Sequence, residues 1–241
     1  MNTEKQCALV IGASRGIGRQ TAIDLARNGY AGNSPSHPYC YQHCSLTSHA
    51  RTVVVAAKTT SDASKCLPFP PDPYSPQSTI NTVTREILET GGEALPLRVD
   101  VRDVESIQVA VEQTVQKYKR LDVLVYNSGA IWWSSVAQTP MKRFQLMQRV
   151  NSEGLYACVQ ACLPHFYRRG QGRIVVVSPP VYSRFLRGKT AYAMTKWGMS
   201  ALTLGLAMDF EREGRSELAV TSLWPAVVCC ADARPSGFRL T

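Results

Sequence analysis

Tyr192 and Lys196 stand four positions apart, so on a helix starting near Thr190 they project from one face and set an ammonium beside a phenol. A free phenol titrates at about pH 10, and a neighbouring cation favours its ionised form. The pair is therefore suited to general acid/base work. Ser178 lies fourteen residues upstream at the end of an apolar run, and Asn151 lies in a helix-length segment before that. Each also has a structural reading: Tyr192 as a partly buried aromatic, Ser178 as a strand-end cap, Asn151 as a helix-interior amide bonding to backbone. Ser183 is a nearer hydroxyl, but it falls in the loop Val181 to Gly188 and is the weaker candidate.

A second constellation opens the chain. The apolar run Cys7 to Ile11 leads through Gly12-Ala13-Ser14-Arg15-Gly16-Ile17-Gly18 into a helical stretch ending near Asn28-Gly29. Glycines at 12, 16 and 18 let backbone amides approach a pyrophosphate, and the helix start adds a favourable dipole; glycines can also serve turn geometry alone. At the end of the second strand-like run, where an NAD enzyme places Asp or Glu, stand Ala57, Lys58 and Thr59. With Arg15 in the glycine turn, two cations and no carboxylate argue for NADP over NAD. The alternative is a solvated Lys58 and an Arg15 paired with a surface acid.

Between these lie Asp122-Val123-Leu124-Val125-Tyr126-Asn127-Ser128-Gly129-Ala130, a buried strand entering Asn and Gly, and Val150-Asn151-Ser152-Glu153-Gly154. In this order the elements resemble the short-chain dehydrogenase/reductase family over Cys7 to Pro225, apart from Ala31 to Arg51. Ser178-Pro179-Pro180 and Ala56-Ala57-Lys58-Thr59 look most like its hydroxysteroid dehydrogenase-like branch. The resemblance implies that Tyr192 exchanges a proton with the substrate oxygen, that Ser178 hydrogen-bonds that oxygen, and that Lys196 also holds the nicotinamide ribose. It further implies that Asn151 anchors a water relaying protons to Lys196. Asp100 and Val101 would hold the adenine ring, and Asn127 and Gly129 would line the ribose side. The cofactor set is then Gly12, Ser14, Arg15, Gly16, Ile17, Gly18, Lys58, Thr59, Asp100, Val101, Asn127, Gly129, Tyr192, Lys196 and Pro225.

These residues need a scaffold that brings strand ends together. Further strand-like runs are Thr52 to Ala57, Ala94 to Val99, Leu121 to Tyr126, Arg173 to Val177 and Leu218 to Trp224, with helix-length segments over 78–90, 103–119, 141–169 and 190–213. The alternation predicts a doubly wound, Rossmann-type parallel α/β sheet, with ligands at the carboxyl ends of its strands. One oxidoreductase domain over 1–241 is expected, with a possible homo-oligomer through the helices around 141–169 and 190–213.

Two segments depart from that rhythm. Ala31 to Arg51 separates the first helix from the second strand where about 2–6 residues are usual, and reads as an irregular insertion of the kind a retained intron leaves. Its His37, Cys40, His43, Cys44 and His49 are ligand types that suit zinc, but they lack paired knuckle spacing, so no metal is expected. The tail 227–241 has neither the length nor the pattern of the family's closing segment, so a missing last strand is expected. A non-catalytic nucleotide-binding protein, or an inactive truncated product, is accordingly the alternative to an enzyme acting on an alcohol or carbonyl.

Composition narrows the remaining classes. The 241 residues carry 44% hydrophobic and 19% charged side chains at mean hydropathy −0.14, and hold no run of the roughly 18 apolar residues a membrane span needs. The net charge of +9 is scattered, with Lys117 to Arg120 and Arg168-Arg169 the only dense clusters, so nucleic acid is not expected. Eight cysteines and no recognisable secretory signal fit free thiols in a cytoplasmic protein.

Overall fold

The computed structural model describes residues 6–28, 52–60, 78–178 and 186–225. The insertion 31–51, the prolines between 65 and 77, Ser183 and the tail 227–241 lie outside the described residues. So do the five possible metal ligands; among the described residues no group of three His, Cys, Asp or Glu side chains could hold a metal ion.

Six strands form one parallel sheet in the order β3-β2-β1-β4-β5-β6. They are β1 (Cys7–Ile11), β2 (Thr52–Ala57), β3 (Glu93–Arg98), β4 (Val123–Tyr126), β5 (Gly172–Val177) and β6 (Leu218–Leu223). Bounds differ from the sequence expectation by one or two residues. The central strands are buried on both faces, which is why they read as continuous apolar runs rather than as alternating ones.

Side-chain alternation still divides the core in two. Leu9, Ile11, Val54, Leu124, Tyr126 and Val176 point to the face covered by α3 (Val104–Tyr118), α5 (Gly154–Arg169) and α6 (Thr190–Arg212). Ala8, Val10, Val53, Val55, Val123 and Val125 point to the other, against α1 (Gly16–Asn28) and α2 (Ile80–Glu89). A capping box between Thr79 and Thr82 starts α2, and the Asp103 carboxylate, accepting from Glu105 N, starts α3.

The segment 141–169, expected as one helix, is three consecutive pieces: α4 (Met141–Met147), a π-helical stretch Gln148–Glu153, and α5. The widened turn holds Asn151, whose amide makes tertiary hydrogen bonds that offset the poorer helical geometry. Strand order reverses between β1 and β4. Chain crossovers lead away from that point on both sides, which opens a crevice at the carboxyl ends of these two strands. No helix among the described residues is long and apolar enough to cross a membrane.

Candidate active site

The glycine turn sits in that crevice. Gly12, at φ +84°, places its N–H 2.8 Å from Ala56 O, and a Cβ there would stand 2.6 Å from Ser128 N. A Cβ on Gly18 would overlap Gly12 O and the Asn127 amide, so turn, α1 and the end of β4 close on one another only without side chains. The result is a helix start facing the strand ends with its backbone bare, the cradle a pyrophosphate needs. Ser14 is buried and its carbonyl accepts from the Ser78 hydroxyl, which ties the turn to the start of α2. Asn127 donates to Gly12 O at 3.1 Å, so its amide closes the turn.

Beyond the end of β2 the charges are already engaged. Lys58, 59% exposed at its side chain, lies 3.3 Å from Asp100 Oδ2. Arg102 takes the same carboxylate in a two-pronged bond, Nε donating to Oδ1 at 2.8 Å and Nη2 to Oδ2. These guanidinium bonds, then the Lys58 ammonium, hold the Asp100 carboxyl well below the usual carboxylate range. Val101 is buried in the core beside Gly154. Thr59 accepts from Ile80 N through its carbonyl, and Pro225 is exposed past the end of β6. Arg102 was missed from sequence; its place two residues after Asp100 was the available signal.

The other group converges from β4, β5, the π-helical stretch and α6. Asn151 is fully buried: its Oδ1 accepts from Ala130 N at 2.8 Å, and its Nδ2 donates to Ala130 O at 3.0 Å and Thr195 Oγ1 at 2.8 Å. Thr195 passes the chain on, donating to Tyr192 O at 2.8 Å, and the Ser152 hydroxyl donates to Thr195 O at 2.8 Å. Lys196 Nζ donates to Val177 O at 3.0 Å. A Cβ on Gly129 would be 3.6 Å from Lys196 Nζ and 3.7 Å from Asn151 Oδ1, so all three residues meet at one point. Ser178 donates to Lys196 O at 3.1 Å and lies 2.8 Å from Ser200 Oγ. Tyr192 packs with Met147 and Ala191, flanked by Trp132, Trp133 and Phe144. Thr195, Ser152 and Ser200 were not singled out from sequence, although all lie within eight positions of a residue that was.

Burial governs the titration of the pair. It pushes the Tyr192 phenol up to about 12 and brings the Lys196 ammonium down to about 8. The phenol therefore stands above its ordinary value, where the sequence reading expected it lowered. Desolvation by burial is the cause of the phenol's rise, while Lys196 Nζ donates to Val177 O.

The Lys196 shift has a stability consequence. Between about pH 8 and 10.5 the unfolded chain holds this proton and the folded chain does not, so the burial cost is full below pH 8 and fades as pH rises through that window. Lys196→Met should exceed the parent protein in stability at pH 7 by about 1–3 kcal/mol, since one pKa unit is about 1.4 kcal/mol and the lost Val177 bond offsets part. Urea melts at pH 7 and pH 9.5 check this: the advantage should shrink at the higher pH.

A short chain dehydrogenase sequence profile matches residues 75–235. The chain belongs to the short-chain dehydrogenase/reductase family. Its relatives include hydroxysteroid dehydrogenase-like protein 2 of Mus musculus, 37% identical over 218 residues that make up 90% of this chain and 37% of that protein. The same-named protein of Danio rerio is 37% identical over 91% of this chain and 45% of its own. The chain thus spans less than half the length of these relatives. Among solved structures, a short chain dehydrogenase of Mycobacterium thermoresistibile superposes at TM-score 0.71 with 32% identity, over 91% of this chain and 67% of that one. An actinorhodin polyketide ketoreductase with NADPH shares the fold at TM-score 0.71 and 23% identity, over 95% of this chain and 73% of that one. The Rossmann-type fold of this family, with its glycine turn at the crevice, is therefore in place.

Proposed function

We propose that the protein is an NADP-dependent oxidoreductase that interconverts an alcohol and a carbonyl, with Tyr192 as the proton-exchanging group. The observation that carries this reading is the convergence of Lys196 Nζ and Asn151 Oδ1 on Gly129, one helical turn from the buried Tyr192 phenol. A bound nicotinamide would supply hydride exchange at the carbinol carbon; orientation and proton handling belong to the protein.

With its pKa pushed up, Tyr192 keeps its proton at neutral pH, the form that gives a proton to a carbonyl oxygen as hydride arrives. Lys196, still largely protonated at pH 7, would hold the ribose and steady the phenolate left behind. Ser178 would hydrogen-bond the same substrate oxygen. The amide of Asn151 is taken up by Ala130 and Thr195, which makes it a positioning residue that locks the π-helical stretch to the end of β4 and to α6. The Gly12, Gly16 and Gly18 turn, with Ser14, Arg15 and Ile17, would cradle the pyrophosphate. Exposed Tyr156, Met194, Leu204 and Met208 on α5 and α6 support association through these helices. Titration with NADPH beside a turnover screen on alcohols and carbonyls tests the reading. Binding without any turnover would favour a non-catalytic nucleotide-binding protein instead.

NADP preference rests on Lys58 and Arg15, joined by Arg102. Asp100 shares its charge between two cations, which leaves positive charge for a 2′-phosphate. Charge-assisted contacts contribute about 1.5–3 kcal/mol, so NADPH should bind roughly tenfold to a hundredfold tighter than NADH. In the double variant Lys58→Ala with Arg15→Ala the ratio should fall to about threefold. Equal dissociation constants for both cofactors in the parent protein would refute the preference.

A further inference from the structure

Two tryptophans, Trp132 and Trp133, follow the end of β4 and pack with Ala130 and Phe144 against the cluster of Met147, Ala191 and Tyr192. This cluster shares Tyr192 with the candidate site, and Ala130 is the residue whose N–H and carbonyl Asn151 holds. A cation lies over each indole: the Arg143 guanidinium stands 4.5 Å from the Trp132 ring centre, and the Lys189 ammonium 4.5 Å from that of Trp133. Both are near the phenol along the chain. Arg143 adjoins Phe144 at the start of α4, and Lys189 stands three positions before Tyr192 at the start of α6. From Val123 to Met208 the sequence holds a single acidic residue, Glu153, while Lys142, Arg143, Arg187 and Lys189 fall in the segments around the aromatic cluster.

Aromatic walls bind apolar bodies by area and ring stacking, which fits the rings that flank Tyr192. A guanidinium or ammonium held on a ring face keeps N–H groups to donate, so it can take an anion without leaving the ring. Surroundings of one sign also raise the local concentration of anions. We propose, resting on the catalytic reading above, that this cluster is the substrate subsite. It selects a carbonyl compound with an aromatic or other apolar body and an anionic end, a carboxylate or phosphate, held by Arg143 and Lys189. This anion is distinct from those of the cofactor: Lys58 follows β2, whereas Arg143 and Lys189 lie on the connections after β4 and β5, on the other side of β1.

Calorimetric titration of the full chain with para-acetylbenzoate, para-acetylphenyl phosphate and methyl para-acetylbenzoate tests this, with NADP⁺ present so that no reduction occurs. The three probes share one aryl ketone and differ in charge. At least one anion should bind about tenfold tighter than the neutral ester, the effect of one charge-assisted contact, and the tighter anion tells carboxylate from phosphate. In Arg143→Gln with Lys189→Gln that ratio should fall to about twofold, whereas Arg143→Lys with Lys189→Arg keeps both charges and should retain about half of it or more. In the parent protein an increase in salt of about tenfold should narrow the ratio by about threefold, a readout that needs no variant to fold. An ester that binds as tightly as both anions, no binding of any probe, or a preference that survives the double glutamine change would overturn the inference. Rates with NADPH separate it from the catalytic reading. Anion-selective binding with no reduction of any probe would remove the catalytic reading and leave the anion subsite; reduction of all three at equal kcat/KM, with equal affinities, would do the reverse.

Discussion

Tyr192→Phe should lower turnover by about 10²–10⁴-fold while leaving the NADPH dissociation constant within about twofold of the parent. The substitution removes one oxygen from a side chain whose ring is held by Met147, Ala191 and the flanking Trp132, Trp133 and Phe144, so the packing that shapes the site is kept. Neither the glycine turn nor the Lys196 to Val177 hydrogen bond involves the phenol oxygen. What is lost is the only proton that the ring can deliver. Fluorescence titration with NADPH and steady-state rates on the same preparation separate the two effects. Retention of most activity would remove Tyr192 from the chemistry, whereas parallel loss of binding and turnover would assign it a role in holding the cofactor.

The largest effect on stability is expected at the opposite end of the sheet. Asp122 is buried just before β4, where its Oδ2 accepts from Cys7 N at 2.7 Å and from Arg120 Nε at 2.8 Å. Its Oδ1 accepts from Arg120 Nη2 at 2.7 Å, with Arg169 from the end of α5 at 3.6 Å. One carboxylate thus joins β1, β4 and α5. Asp122→Ala removes the carboxylate that the buried Arg120 guanidinium and the buried Cys7 N–H share, a loss of about 3–5 kcal/mol. For a chain of this size Tm should fall by about 6–20 °C. Asp122→Asn, which keeps one acceptor oxygen, should fall between the two. A change below about 1 kcal/mol in the alanine variant would show that the cluster contributes nothing beyond solvated ion pairs. The thiol beside it is inert: burial first, then the Asp122 charge, pushes Cys7 up to about 12.

Much of the scaffold was legible because its signals are local. Continuous apolar runs such as Cys7 to Ile11 and Thr52 to Ala57 alternate with helix-length segments, and parallel strands buried on both faces produce that pattern whatever the connections between them. The stretch 141–169 was legible as helix but not as a helix interrupted at Asn151. A π-helical turn is stabilised by partners far along the chain, here Ala130 and Thr195, and leaves no local period to read.

The residues of the candidate site divide in the same way. Sequence by itself determined the types and the order: a glycine turn after β1, cations after β2, an amide, a hydroxyl and a phenol–lysine pair four apart on one helix. The helical repeat alone places Tyr192 and Lys196 on one face, since backbone geometry dictates that spacing. Tertiary structure decided the charge states and the partners. Lys58 meets Asp100, which Arg102 also holds, because β2 and β3 are neighbours in the sheet, and Ser178 meets Ser200 because β5 ends against α6. The sense of the Tyr192 shift came from burial, which depends on what the whole fold packs around the ring. Spacing along the chain carries the chemistry that is possible; the dielectric and the hydrogen-bond partners that select among protonation states exist only once distant elements have met.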